Sequence, residues 1–462
     1  MTIDDYIRKL EETLLLNQEL EKENEELKKY KEEWEKQKEQ LEKENESLKK
    51  RLLFYENPNT PPSARKIEKV DKTSTENIPI PKKRGAPNGH KGATRPTKQP
   101  DEIIDVIADH CEKCGGSNIE KLENCETLVI EDLPPPQKIK TTQYNLWEVK
   151  CNDCGDQSFS KHSDCPKTGN FGIYLLVYIV MLKFHLRGVI RKIEDFLLQY
   201  NNFEISPKGI HDILLRVGGA CKKDYEDKIQ MIRRAKWRYI DETGIKINGK
   251  NWWLWIFRTD TNETLVVIRK SRGKKVLEEI LGIGHKGTNI TDGWKAYSGM
   301  KLQRCWAHLL REVDHFIDAS ENGKKMSEDI HSCFKTLREF LDRDPSMEER
   351  IEKKAFFEKE LEAVAAKYSD FKELQKPLTY LKNGFGCWYT CILFPGMEPT
   401  NNLGEQAMRE HVIMRKIIGC FRSENGAENY QYIASLLATC RLQGKNGFEE
   451  LEQVLRQELC MT

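Results

Sequence analysis

Three different hydrophobic periods run along this chain, and each predicts a different kind of element. Over residues 3–54, Leu20, Leu27, Trp34, Leu41 and Leu48 recur every seven residues. Ile3, Leu10, Asn17, Asn24, Lys31, Lys38, Asn45 and Leu52 fill the companion seam. Leucine on one seam with repeated Asn and Lys on the other predicts a coiled coil over 1–56 that trades stability for register and favours a dimer. A single solvated helix is the competing reading of so polar a seam.

The period then vanishes. Residues 57–100 hold eight prolines and several glycines without apolar periodicity, which makes them a linker or arm. Residues 101–166 carry short β-like runs such as Thr127-Leu-Val-Ile130. From Phe171 to about Ile232 a helical period takes over: a largely apolar helix from Ile173 to Leu186, an amphipathic one from Val189 to Tyr200, and a third capped by Ser206-Pro207 and running through Val217. The last two, joined through 201–205, form a candidate helix-turn-helix in the segment 167–234. Lys208, His211, Asp212 and Arg216 would face DNA, and Arg187, Arg191 and Lys192 its phosphates. A helical spacer packed on the next domain is the alternative.

Alternation replaces it at Trp237. Strands run to Asp241 and on through Ile247 into an Asn248-Gly249 hairpin turn, then over Trp252–Thr259 and Thr264–Lys270. A helix follows over about Lys274–Leu281, and a further strand, Thr288–Thr291, ends at Asp292. Residues 303–385 read as helical almost throughout, and another long helix begins near Asn402. This order predicts an α/β core over 235–300 and 396–445, a helical insertion over 301–395 and a C-terminal helix over 446–462.

Composition and charge change this picture in two places. The net charge of +1 conceals 12 Lys/Arg against 17 Asp/Glu in residues 1–56, which leaves +6 for the remainder. Within the arm, Lys82, Lys83, Arg84, Lys91, Arg95 and Lys98 face no acid over residues 81–99, a pattern that suits phosphate. No apolar run reaches membrane-spanning length, and the start lacks a signal-peptide pattern, so no membrane association is expected. Fourteen cysteines in such a chain predict reduced thiols and a cytoplasmic, DNA-associated protein.

Cys111-Glu-Lys-Cys114-Gly and Cys151-Asn-Asp-Cys154-Gly are two C-x-x-C knuckles with 36 residues between them. Four thiolates would close one tetrahedral structural zinc site with no open position. Three acids stand where phosphoryl transfer needs them: Asp241 on the first strand, Asp292 after a later strand and Glu405 early in a helix. Glu242 rivals Asp241, but strand alternation sends it to the opposite face. Cys305-Trp-Ala-His308, opening a helix from Ala307 to Ile317, is either a buried structural pair or an accessory metal half-site.

These segments together resemble transposases of the insertion sequence 66 family. The basic stretch Lys82–Arg95 is similar to that family's Gly-His-x-Gly arm, and the knuckles to its zinc-binding domain. Tyr239-Ile-Asp-Glu-Thr-Gly and Thr291-Asp-Gly-Trp-Lys-Ala-Tyr resemble its first two catalytic strands. The stretch Thr400–Arg409, continuing to Met414-Arg-Lys416 and the Ser423–Gly426 turn, resembles its third-carboxylate helix and the basic strip after it. Gly404 and Gln406 depart from the more usual Ala-Glu-Arg around the third acid. The resemblance implies a multidomain protein with a ribonuclease-H-like core. Asp241, Asp292 and Glu405 would hold two Mg²⁺ (or Mn²⁺) ions that cut the ends of an insertion sequence and join the 3′-hydroxyls to target DNA. It also implies contacts from Arg409, Arg415, Lys416 and Arg422 to DNA, a homo-oligomer, and small accessory proteins. A metal-dependent nuclease or resolvase without joining, or an inactive zinc-containing regulator, are the rival readings.

Overall fold

The protein is described here from a computed structural model. The structure describes residues 99–461 apart from 119, 126, 132–134 and 319, together with 22, 25, 28–31, 33–42 and 45. The basic arm, with Lys82, Lys83, Arg84, Lys91 and Arg95, lies outside the described residues, as does most of the heptad pattern. Residues 33–42 are helical, and the seam residues Trp34 and Leu41 are 61% and 58% exposed on it.

The chain divides into two compact units, Met1–Glu131 and Asp132–Thr462. Among the described residues of the first, the Cys111–Cys114 turn is the main feature. Thr127–Ile130, read from sequence as β-like, is not a strand: Leu128 and Ile130 are 79% and 74% exposed and no described neighbour pairs with them. β-branched residues favour a strand only where a partner and a covered face exist.

The second unit opens with a two-stranded hairpin, β1 (Glu148–Lys150) and β2 (Gln157–Phe159), with the second knuckle at its tip. Four helices follow: α1 (Ile173–Phe184), α2 (Ile190–Asn201), α3 (Pro207–Ala220) and α4 (Lys222–Arg234). The N-terminus of α3 forms where the sequence marks it. Ser206 Oγ accepts from Gly209 N at 3.1 Å and Pro207 occupies the first turn, where its missing N–H costs nothing.

A five-stranded mixed sheet forms the centre, in the order β5-β4-β3-β6-β7. It comprises β3 (Trp237–Ile247), β4 (Lys250–Thr259), β5 (Thr264–Arg269), β6 (Thr288–Thr291) and β7 (Leu302–Arg304). The first three form an antiparallel meander, and β6 and β7 add in parallel beyond β3. Asn248 and Gly249 turn the first hairpin with φ of +47° and +75°, values that Asn and Gly tolerate best. The strand β7 corrects the helical reading of residues 303–385. At three residues it is too short to show a period, and it is held by pairing with β6 and by Gln303, which is fully buried and donates to Trp388 O at 2.9 Å.

Helices cover both faces. On one, Ile240, Trp255, Phe257, Leu265 and Val267 pack with α1–α4, α5 (Lys274–Leu281) and α12 (Gly447–Leu459). On the other, Ile245, Leu254, Ile256 and Val266 pack with α10 (Asn402–Ile418) and α11 (Glu424–Gln443). The free edge of β5 is closed by side chains of α11. Gln431, Ser435 and Thr439, four residues apart, accept from the amides of Ile268, Val266 and Thr264 at 3.0, 2.9 and 3.0 Å. An unpaired edge would otherwise invite another strand. A third core, built around Trp306, Phe340, Phe357, Trp388 and Tyr389, belongs to α6 (Trp306–Asp314), α7 (Glu321–Asp342), α8 (Met347–Lys367) and α9 (Gln375–Lys382).

Candidate active site

Asp241 lies midway along β3, opposite Ile256 of β4. Its neighbour Glu242 is opposite Trp255, and the alternation separates their side chains between the two faces. Glu242 is satisfied on its own side: Arg272 Nη2 lies at 2.8 Å and Tyr297 donates its hydroxyl at 2.5 Å. Among the described residues Asp241 has no such cation. Its Oδ1 accepts only the Glu242 amide, at 2.9 Å. Burial, then the Glu242 charge, and further the Asp292 and Glu405 charges, push its carboxyl up to about 7. A carboxylate held against neighbouring negative charge is a group short of a cation.

Asp292 leaves the end of β6. Its Oδ1 accepts the Trp294 amide at 2.8 Å, and its backbone carbonyl accepts the Tyr380 hydroxyl at 2.8 Å. Gly293 beside it has φ +88°, and Arg304 lies where a β-carbon would go. The Arg304 guanidinium is stacked 4.7 and 5.0 Å from the Tyr380 and Trp388 ring centres. Sequence reasoning missed Tyr380 and Arg304, which come from other elements and carry no local signal; Tyr297 closes the Thr291–Tyr297 stretch but is given no role by it.

Glu405 stands in the first turn of α10, where the helix dipole favours a negative charge. Asn401, just before that turn, donates its side-chain amide to Ile240 O at 2.8 Å and fixes α10 beside β3. Glu405 Oε1 pairs with Arg311 at 3.3 Å, not with Arg409, and lies 3.9 Å from His308 Nδ1. Arg311 was also missed, although Cys305, His308 and Arg311 share a three-residue spacing on one helix face. Among the described residues, one group of three metal-ligating side chains has all its ligand atoms within 4.8 Å, and it is Cys305, His308 and Glu405. Asp241 and Asp292 stand outside that group. Asp241 thus lies within the field of the Asp292 and Glu405 charges, while Glu405 is turned toward α6.

The sequence model of the Transposase IS66 family matches residues 168–429, more than half of the chain. The chain belongs to that family. The match takes in all five strands of the central sheet and all three acids, and begins after the knuckles and the β1–β2 hairpin. The chain is also similar to the uncharacterized protein y4qI of Sinorhizobium fredii, with 22% identity over 81% of this chain and 75% of that protein. Among the described residues no helix is long and apolar enough to cross a membrane.

Several basic residues expected on DNA are engaged within the chain itself. Arg187 forms a two-pronged pair with Glu410 of α10, at 2.6 and 2.7 Å. Arg415 donates to Thr243 Oγ1 at 2.9 Å and to Gly244 O, docking α10 on β3. Lys208 pairs with Asp212 at 2.6 Å. Arg216 is half-buried beside Gly169, and Gly218 on the same helix abuts Asn429 of α11, so α3 is packed on the core. The later turns of α3 are thus covered, while Lys208 and Asp212 in its opening turns are exposed. Arg409, Lys416 and Arg422 are exposed.

The two knuckles fold alike, each in its own unit. Cys111 N donates to Gly116 O and Gly115 N to Cys111 O; Cys151 N donates to Asp156 O and Gly155 N to Cys151 O. Gly115 and Gly155 take φ of +74° and +78°. Backbone amides of Cys114 and Lys113 hold the Cys111 thiol below its usual range, and those of Cys154 and Asp153 do the same for Cys151. Thiolates so prepared suit a metal.

Proposed function

We propose that this protein is a DNA transposase that cleaves the ends of an insertion sequence and joins the freed 3′-hydroxyls to target DNA, with Asp241, Asp292 and Glu405 as its metal-holding acids. The observation that carries this reading is the state of Asp241: half-buried, without a cation among the described residues, and raised by desolvation, by the Glu242 charge and further by the charges of Asp292 and Glu405. The strand order, an antiparallel meander that continues into parallel strands, supports a ribonuclease-H-like core.

The donor set fits Mg²⁺ or Mn²⁺, since all three groups offer carboxylate oxygens. Bound there, two such ions would supply a nucleophile active at neutral pH and charge stabilisation at the leaving oxygen. The chain's own residues supply the positions. Asp241 is held by strand pairing, Asp292 by the Trp294 amide and the Tyr380 hydroxyl, and Glu405 by the Asn401 anchor of α10. Glu242, neutralised by Arg272 and Tyr297, steadies β3 from the other face. Exposed Arg409, Lys416 and Arg422, with the arm basics, would attract DNA phosphate. The knuckle cysteines Cys111, Cys114, Cys151 and Cys154 would hold structural zinc, and residues 1–56 would pair copies of the chain.

The deciding experiment incubates the full chain with paired element-end DNA, target plasmid and Mg²⁺. Joined product is expected. Cleavage without joined product would assign a nuclease instead, and no Mg²⁺-dependent product at all would leave a DNA-binding regulator.

A further inference from the structure

The donor atoms around His308 are the wrong kind for magnesium and the right kind for zinc. Cys305 precedes the first turn of α6, and its buried Sγ accepts the Asn401 amide at 3.1 Å. His308, three residues on, projects from the same helix end. Its Nδ1 is buried, has no hydrogen-bond partner and lies 3.9 Å from Glu405 Oε1. Sulfur, imidazole nitrogen and carboxylate oxygen all fall within 4.8 Å of one another. Such a mixed set selects a borderline-soft ion over Mg²⁺, which demands an oxygen octahedron. Three protein donors also leave a fourth tetrahedral position open. Arg311, at 3.3 Å from Glu405, supplies the positive charge that a cation at this place would replace.

We propose that Cys305, His308 and Glu405 form a second cation site for a zinc-class ion, and that its occupancy restrains the active site by holding Glu405 away from Asp241 and Asp292. The restraint rests on the catalytic role proposed above for Glu405; the cation site does not. Binding displaces the Cys305 thiol proton to solvent as the Zn–S bond forms, and no electron is transferred.

The test equilibrates the full chain, and its His308→Ala and Cys305→Ser variants, with zinc and measures bound metal after removal of excess. Each variant is expected to hold one zinc equivalent fewer than wild type, whatever the knuckles hold. His308 is partly exposed, so His308→Ala carries the comparison if the buried Cys305→Ser disturbs folding. Equal zinc content in wild type and His308→Ala would overturn the site. In parallel, zinc titrated against Mg²⁺-dependent end cleavage should inhibit wild type and inhibit His308→Ala at least about tenfold less sensitively, the loss that even an outer-sphere partner causes. Equal sensitivity with unequal zinc content would overturn the restraint. A protein with no Mg²⁺-dependent cleavage would refute the transposase reading, while the zinc difference would still decide the site.

Discussion

Tyr297 donates its hydroxyl to Glu242 Oε2 at 2.5 Å, from a 3₁₀ turn 55 residues along the chain. With Arg272 on the other carboxylate oxygen, the bond makes the acid beside Asp241 a structural group. Tyr297 is fully buried, so Tyr297→Phe leaves a hole in a charged network. Loss of about 1–3 kcal/mol is expected in urea unfolding, the cost of removing a hydrogen bond to a buried charge. An unchanged midpoint would show that Arg272 alone satisfies Glu242.

Gly293 gives a sharper test of how Asp292 is aimed. A β-carbon there would sit 2.0 Å from Arg304 Cζ at φ +88°, and Arg304 packs against the Tyr380 and Trp388 rings. Gly293→Ala must therefore displace Arg304, strain the turn, or both. Mg²⁺-dependent cleavage should fall by about 100-fold, as it does when a catalytic group shifts by about an ångström. Full activity in Gly293→Ala would mean that Asp292 is not positioned through this turn.

His411 fixes an acid limit on stability. It is fully buried in α10 with its Nδ1 2.8 Å from the Tyr430 hydroxyl. Burial, then the Arg441 charge, lowers it to about 4, with Glu410 acting weakly the other way. The unfolded chain takes up this proton near pH 6.5 and the folded one only near 4, so stability is present above 6.5 and is lost as pH falls through that window. The slope contributed is at most about 1.4 kcal/mol per pH unit. Unfolding measured from pH 7 to 4 should show less of this slope in His411→Gln; an identical profile would remove His411 as its source.

The knuckles predict a metal count independent of catalysis. Paired backbone amides hold the Cys111 and Cys151 thiols below their usual range. Purified protein should lose one zinc per chain in the Cys111→Ser, Cys154→Ser double variant, read by elemental analysis. Retention of that zinc would assign it elsewhere.

Trp34 and Leu41 lie exposed on their helix, as seam residues do in a single chain. Deletion of residues 1–56 should reduce the mass in solution from dimer to monomer by light scattering. An unchanged mass would place the contact between copies outside the heptads.

Much of the sheet was legible because each signal was local. The Asn248-Gly249 turn, the alternation of β3 to β5, the Ser206-Pro207 cap and the strand ending at Asp292 all need only neighbouring residues. Strand alternation likewise separates Asp241 from Glu242 without tertiary information. The strand β7 was illegible, because three residues carry no period and only pairing with β6 makes them a strand. The fate of the basic residues was illegible for a related reason. Arg187 and Arg415 look like phosphate ligands in sequence, yet partners 223 and 172 residues away take them up.

By itself, then, the sequence determined most of the order of elements and the family, since these depend on residue type, period and spacing. Only the tertiary structure decided where charge is left over. It paired Glu242 with Arg272, left Asp241 half-buried without a cation among the described residues, and turned Glu405 toward His308 and Arg311. Burial and charge balance depend on residues brought together from distant elements, and no local pattern encodes that sum.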